Sequence, residues 1–203
     1  MHDSKSAISV QNLIAELART VKTIAAKDAE LDSPVRDQAD WLNTWSTAFW
    51  ETICREWASI DQWRMNKVLL LVRFFLRETF GVLLTSVATD ESDSKSKSSG
   101  LTAKQIQILE TWPLSPRERK VPDGLRLHVL DIWVDELAAQ IGAVQAERDQ
   151  SKESDPDGLK TALIDAAQNL MTPVDKVSKE ALSKGVKMRA KDAVKAFHEK
   201  SMS

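Results

Sequence analysis

"FWETICREWASIDQWRMNKVLLLVRFFLRETF", residues 49–80, packs aromatic, aliphatic and ionic side chains into one run without a proline. Trp41, Trp45, Phe49, Ile53, Trp57 and Ile60 recur every three or four positions, which predicts one apolar face of a helix. After a turn near Ser59–Asp61, Met65, Val68, Leu69, Val72, Phe75, Leu76, Phe80 and Leu83 mark the inner face of a second helix. Leu70, Leu71 and Phe74 widen that face until the helix reads as buried nearly all round. Gly81 is the only glycine between residues 35 and 87, so nothing divides the two long helices further. Trp50, Ile53 and Trp57 are expected to form the seam between them.

Helical periodicity extends in both directions. Upstream, residues 10–31 place Leu13, Leu17, Val21 and Ile24 on one face, and Pro34 then interrupts. Downstream, residues 88–100 ("ATDESDSKSKSSG") read as a flexible polar loop. A helix is expected to restart at residue 101, with Thr102 as cap, Gln105 reaching back and Leu101 stapled to Ile106. It ends at Trp112-Pro113, and a proline-rich basic loop, 113–124, leads into a long helix over roughly 124–149. That helix carries Leu125, Val129, Leu130, Trp133, Leu137, Ile141 and Val144 on one face. A second polar linker, 151–158, precedes three shorter helices, the middle one capped by Thr172 with Pro173 at its first position. No alternating strand pattern stands out. The expected fold is all-α, an antiparallel helical-repeat stack of the HEAT or armadillo kind, although no clean sequence period marks the repeats. Residues 1–150 would form its main domain, and 151–203 short basic helices packed on it or extending it.

Composition narrows the function classes. A net charge of −2 gives the chain no overall attraction for phosphate, so nucleic-acid contact would rest on local patches. The single cysteine, Cys54, excludes an internal disulfide and suits a reducing compartment. The start, "MHDSKSAISV", lacks the apolar core of a signal peptide, and "VLLLV" (68–72) stops at Arg73. That run is far short of the roughly 20 residues that span a bilayer, so no membrane partner is expected.

Catalytic residues are hard to find. His2, His128 and His198 form no paired metal motif, and there is no glycine-rich phosphate loop or nucleophile elbow. Cys54 falls in an apolar helix face, where a structural thiol is expected rather than a reactive one. His128 stands one turn before Asp131 and is open to a carboxylate pair or to an inter-helix hydrogen bond. The expectation is a non-enzyme with no cofactor and no small-molecule substrate. Binding candidates are better represented. Arg55, Asp61, Arg64 and Lys67, with Glu56, surround the turn between the two long helices. They read as inter-helix ion pairs first and a recognition surface for protein or RNA second. Arg117, Arg119 and Lys120 in the loop, with Lys176, Lys179, Lys187 and Arg189 in the tail, are the candidate phosphate contacts. Residues 172–203 carry eight Lys or Arg against four Asp or Glu, and solvated helix faces would also account for them.

Residues 49–80 also resemble the signature of the nucleolar ribosomal RNA processing protein 1 family, approximately F-W-x-T-x-x-R-E-W-x-G-I-D-R-L-R-L-D-K, followed by an apolar helix ending L-R-x-S-F. Arg55, Glu56, Trp57, Ile60, Asp61, Arg64 and Lys67 fit it. Ser59 stands for the usual glycine, Gln62 for arginine, Trp63 for leucine and Asn66 for aspartate. "VPDGLRLHVLDIWVDEL" (121–137) is similar to a second block, P-x-G-L-x-x-H-x-x-D-I-(aromatic)-x-x-E-L. Residues 9–21 and 170–197 match more weakly. The resemblance implies a non-catalytic helical scaffold of the nucleolus and nucleus. Such proteins join precursors of the large (60S) ribosomal subunit and are needed for pre-rRNA processing, with other assembly factors and pre-rRNA as partners. The loss of a basic residue at 62 weighs against RNA at the turn and towards helix interlocking or a protein partner. A helical adaptor outside ribosome biogenesis is the alternative.

Overall fold

Apolar side chains at helical spacing run through the chain, and the backbone follows them. The computed structural model describes residues 4–31, 40–89, 95–151 and 156–201. Its elements are α1 (Ser4–Glu30), α2 (Trp41–Glu56), a 3-10 turn (Trp57–Ser59), α3 (Gln62–Thr89), α4 (Lys95–Thr111), α5 (Asp123–Ser151), α6 (Pro156–Leu170), α7 (Thr172–Glu180) and α8 (Lys184–Ser201). No strand occurs among the described residues, so the fold is all-α as expected.

The helices stack in two series. In one, α1 packs on α3, α3 on α5 and α5 on α8; in the other, α2 packs on α4 and α4 on α7, while α6 bridges α3, α5 and α7. α3 and α5 run parallel, since four contacts climb both helices together. His128 Nε2 meets the Leu69 carbonyl at 2.9 Å. Glu136 binds Arg73 and Arg77. Gln140 lies over Gly81, and Arg148 donates to the Ala88 carbonyl. The core fills the space between the series with Trp50, Phe75, Phe80, Leu83, Leu84, Leu125, Val129, Trp133 and Leu137, all essentially inaccessible to water. Phe49 stacks on Phe75 with centroids 3.6 Å apart, and Trp50 meets Phe75 edge-on at 5.7 Å. The expected seam therefore exists at Trp50, with Ile53 and Trp57 half-buried at its margin.

Several local expectations change. In α1 the buried face is Ile14, Ala18 and Val21, while Leu13 is 65% exposed and Leu17 38%. Both leucines fit the periodicity, but they are rotated to the edge of the face that meets α3. In α2 the buried set is Leu42, Ser46, Phe49, Trp50 and Cys54, and Trp41 is 60% exposed. The stripe of large aromatics was too wide to bury whole: Phe49 and Trp50 turn inward with Leu42, Ser46 and Cys54, and Trp41 is left at the edge. Of the expected loop 88–100, residues 88–89 end α3 and residues 95–100 are already helical; 90–94 lie outside the described residues. With α4 starting at Lys95, Thr102 is interior to it and does not cap. Gln105 instead donates to Asn43 Oδ1 on α2 at 2.6 Å. Likewise Thr172 begins α7, whose cap position falls on Met171 with no side-chain bond. Pro34, His2 and linker residues 152–155 lie outside the described residues.

Candidate functional site

The turn between α2 and α3 is the first candidate, and its charges act locally. Ile60 adopts an extended backbone after the 3-10 turn, and Asp61 then accepts the Arg64 N–H at 2.9 Å, closing the first turn of α3. The Asp61 carboxylate also holds the Arg64 guanidinium at 2.6 Å, which keeps its pKa below the usual range. Arg55 binds its neighbour Glu56 at 2.8 Å. Arg55, Asp61, Arg64 and Lys67 are all exposed. None of these bonds crosses between helices, so the expectation of inter-helix pairing at the turn is corrected. Short, solvated pairs of this kind order a turn and contribute little to stability.

A buried inter-helix ion cluster lies about 20 Å along α3, at Glu136, the acid of the second block that resembles the family. Glu136 on α5 has a side chain only 1% exposed and accepts Arg73 Nε at 2.5 Å and Arg77 Nε at 2.6 Å. Burial pushes its pKa up, yet the two guanidiniums outweigh burial and hold it below the ordinary 4.5. Arg73 and Arg77, spaced i, i+4 in an otherwise apolar helix, were its signal: two cations there require an acidic partner.

The basic loop and the α7–α8 junction, separate in sequence, meet in space. Arg126 is buried and donates to the carbonyls of Ser115, Glu118 and Val121 and to Asp123, pinning the loop 115–123 onto the start of α5. The Leu182 N–H donates to the Pro116 carbonyl at 3.3 Å, bringing the α7–α8 junction against that loop. A hollow of about 300 Å³ results, lined by Arg117, Arg119, Arg126, Leu182, Ser183 and Val186 among others. Arg117 reaches Glu180 at 3.8 Å, while Arg119, Lys120 and Lys179 are exposed around this region. The tail candidates divide here. Lys176 is bound to Glu110 on α4 at 2.6 Å and half-buried; the bond raises its pKa. Arg189 is bound to Asp131 on α5 at 2.7 Å, and Lys187 is half-buried. Lys176 and Arg189 thus each form an ion pair between helices.

The thiol and the inner imidazole are taken up by packing. Burial pushes the Cys54 thiol up to about 11 despite Arg126 nearby, so it stays protonated. Burial also lowers the His128 pKa, against its bond to Leu69, and the ring serves as an inter-helix contact. Among the described residues no group of three or more His, Cys, Asp or Glu could hold a metal ion. No described helix is long and apolar enough to cross a membrane.

Comparison with known proteins agrees with the motifs read above. The human protein "Ribosomal RNA processing protein 1 homolog B" is 31% identical over 140 residues, 69% of this chain and 15% of that protein. Mouse "Ribosomal RNA processing protein 1 homolog A" is 32% identical over 108 residues, covering 51% of this chain and 19% of the relative. In Drosophila melanogaster the "Ribosomal RNA processing protein 1 homolog" is 30% identical over 92 residues, 45% of this chain and 12% of the relative. The chain thus spans less than a fifth of the length of these relatives. A family model described as "Nucleolar protein, Nop52" matches residues 1–202, from end to end of the described fold. The chain belongs to the Nop52 family of nucleolar proteins.

Proposed function

We propose that this protein works in ribosome biogenesis as a non-catalytic scaffold on precursors of the large subunit, required for pre-rRNA processing. The family match over residues 1–202 carries the proposal. The relatives' names connect them to ribosomal RNA processing, and the physical character of the chain supports a binding role. Its stacked helices offer broad faces, and its buried thiol and imidazole are taken up by packing. Other assembly factors dock on helical faces, while the basic loop and the α7–α8 junction touch pre-rRNA phosphates through Arg119, Lys120 and Lys179, with Arg117 beside them.

Purification of the tagged protein from its own cells, with sequencing of the accompanying RNA, tests this reading. Enrichment of large-subunit pre-rRNA and assembly factors is the expected outcome. A stable complex with other proteins and no pre-rRNA would mean a helical adaptor outside ribosome biogenesis. Joint charge reversal of Arg119, Lys120 and Lys179 is expected to weaken RNA association and its salt dependence while leaving helicity intact. Unchanged association removes this surface from the mechanism.

A further inference from the structure

We infer that the outward face of α3 is a docking site for an amphipathic helix with acidic flanks on a partner protein. The inference rests on the scaffold reading above and names the face and chemistry that it leaves open. At 100° per residue, Trp63, Leu70 and Phe74 fall within about 40° of one another, opposite the buried Val72. Trp63 is 87% exposed, the most exposed of the large apolar residues described. Leu70 and Phe74 are half-exposed, and both stand outside the core cluster that takes in Val68, Leu71 and Val72 from the same helix. Further along, Lys22 of α1 and Gln140 of α5 close over the face at Gly81, where an added Cβ would lie 2.8 Å from Gln140 Oε1. The open segment therefore runs from Trp63 to Phe74, about three turns, the length that an i, i+7, i+11 set of anchors engages in helix-to-helix docking.

Charge selects the occupant. Lys67 shares this face, and Arg73 and Arg77 border it with side chains 43% and 36% exposed. Glu136 is the one carboxylate between those two arginines, so the trio keeps a net positive charge. Arg64 is neutralised by Asp61, and Lys22 by Glu78 at 3.3 Å. A face with cationic borders repels a second copy of itself and attracts acidic flanks. Stacked nucleobases fit less well: the Arg77 guanidinium already lies 4.9 Å from the Phe74 ring centroid, leaving Trp63 as the open ring, with aliphatic Leu70 behind it.

The test uses the whole chain and two fluorescein-labelled 18-residue helical peptides. They share a leucine stripe at i, i+3, i+4, i+7 and differ only in flanks of Glu or Lys. Anisotropy is expected to show binding of the Glu peptide alone, weakened by salt. Trp63→Ala and Lys67→Glu are each expected to weaken it about tenfold while melting as wild type does, since both side chains are exposed. Equal binding of the two peptides, binding insensitive to both substitutions, or a Trp63-dependent preference for single-stranded oligouridine would each overturn the proposal. Co-sedimentation of the wild-type protein with large-subunit precursors, scored separately, distinguishes the two failures. Sedimentation without peptide binding removes the face and keeps the ribosomal reading; peptide binding without sedimentation does the reverse.

Discussion

Two charged segments, the α2–α3 turn and the middle of α3, are built from the same residue types and do different physical work. At the turn, Arg55–Glu56 and Asp61–Arg64 pair within a few residues in open solvent. Mid-helix, Arg73 and Arg77 reach 63 and 59 residues along the chain to a carboxylate that solvent scarcely touches. Water screens the first set, so its members are replaceable and free to meet a partner. Desolvation makes the second set mutually dependent: Glu136 without its arginines would be a buried bare charge. Burial of the acid, rather than the density of charge, separates surface from structure here.

The contrast can be tested by substitution, from the largest effect downwards. Trp50→Ala, which empties the aromatic seam beside Phe49 and Phe75, is expected to cost about 3–5 kcal/mol in chemical denaturation. Trp57→Ala should cost less, because that indole is half-buried over Gly124, 3.3 Å from where a Cβ there would sit. An equal loss would place both tryptophans in one core. Glu136→Gln keeps the shape but strands two partly solvated guanidiniums, for an expected loss of about 2 kcal/mol. Should the melting point stay put, the inter-helix clamp is ornamental and the contrast collapses.

Acidity separates the same regions. Glu136 has its pKa lowered in the fold, so its contribution is present above the ordinary 4.5 and is lost as pH falls through the folded value. His128 is also lowered, from 6.5, because burial favours the neutral ring. Stability is therefore full above pH 6.5 and declines as pH drops below it, where the unfolded chain binds the proton first. Thermal melts between pH 7.5 and 5 should show this decline in the wild type and a flatter profile in His128→Gln. The smallest effect belongs to the turn. Arg55→Ala is expected to leave the melting point unchanged, and a loss matching that of Glu136→Gln would show that the turn's charges are structural after all.

Much of this was legible in the residues and some was not, for reasons seen at particular positions. Three- and four-residue spacing located α1, α2, α3 and α5, because a helix without a buried face has no driving force to form. Spacing left the rotation open by about one position: Leu13 and Ile14 fit equally well, and α3 took Ile14. The cap at Thr102 failed because α4 begins earlier and its Gln105 had a better partner in Asn43, 62 residues away. Lys176 and Lys179 look equivalent in sequence, yet Glu110 sits opposite only one of them. Arg126, the residue that holds the basic loop in place, carried no local signal, since all its acceptors but Asp123 are carbonyls.

Sequence alone determined the helical class, the aromatic seam around Trp50, the structural nature of Cys54 and the family, because each depends on residue type at short spacing. Tertiary structure alone decided which ionic groups are locked and which are open, and that the basic loop and the distant α7–α8 junction share one hollow. Those outcomes depend on which side chains meet across helices and on the water excluded between them, and neither is a local property of the chain.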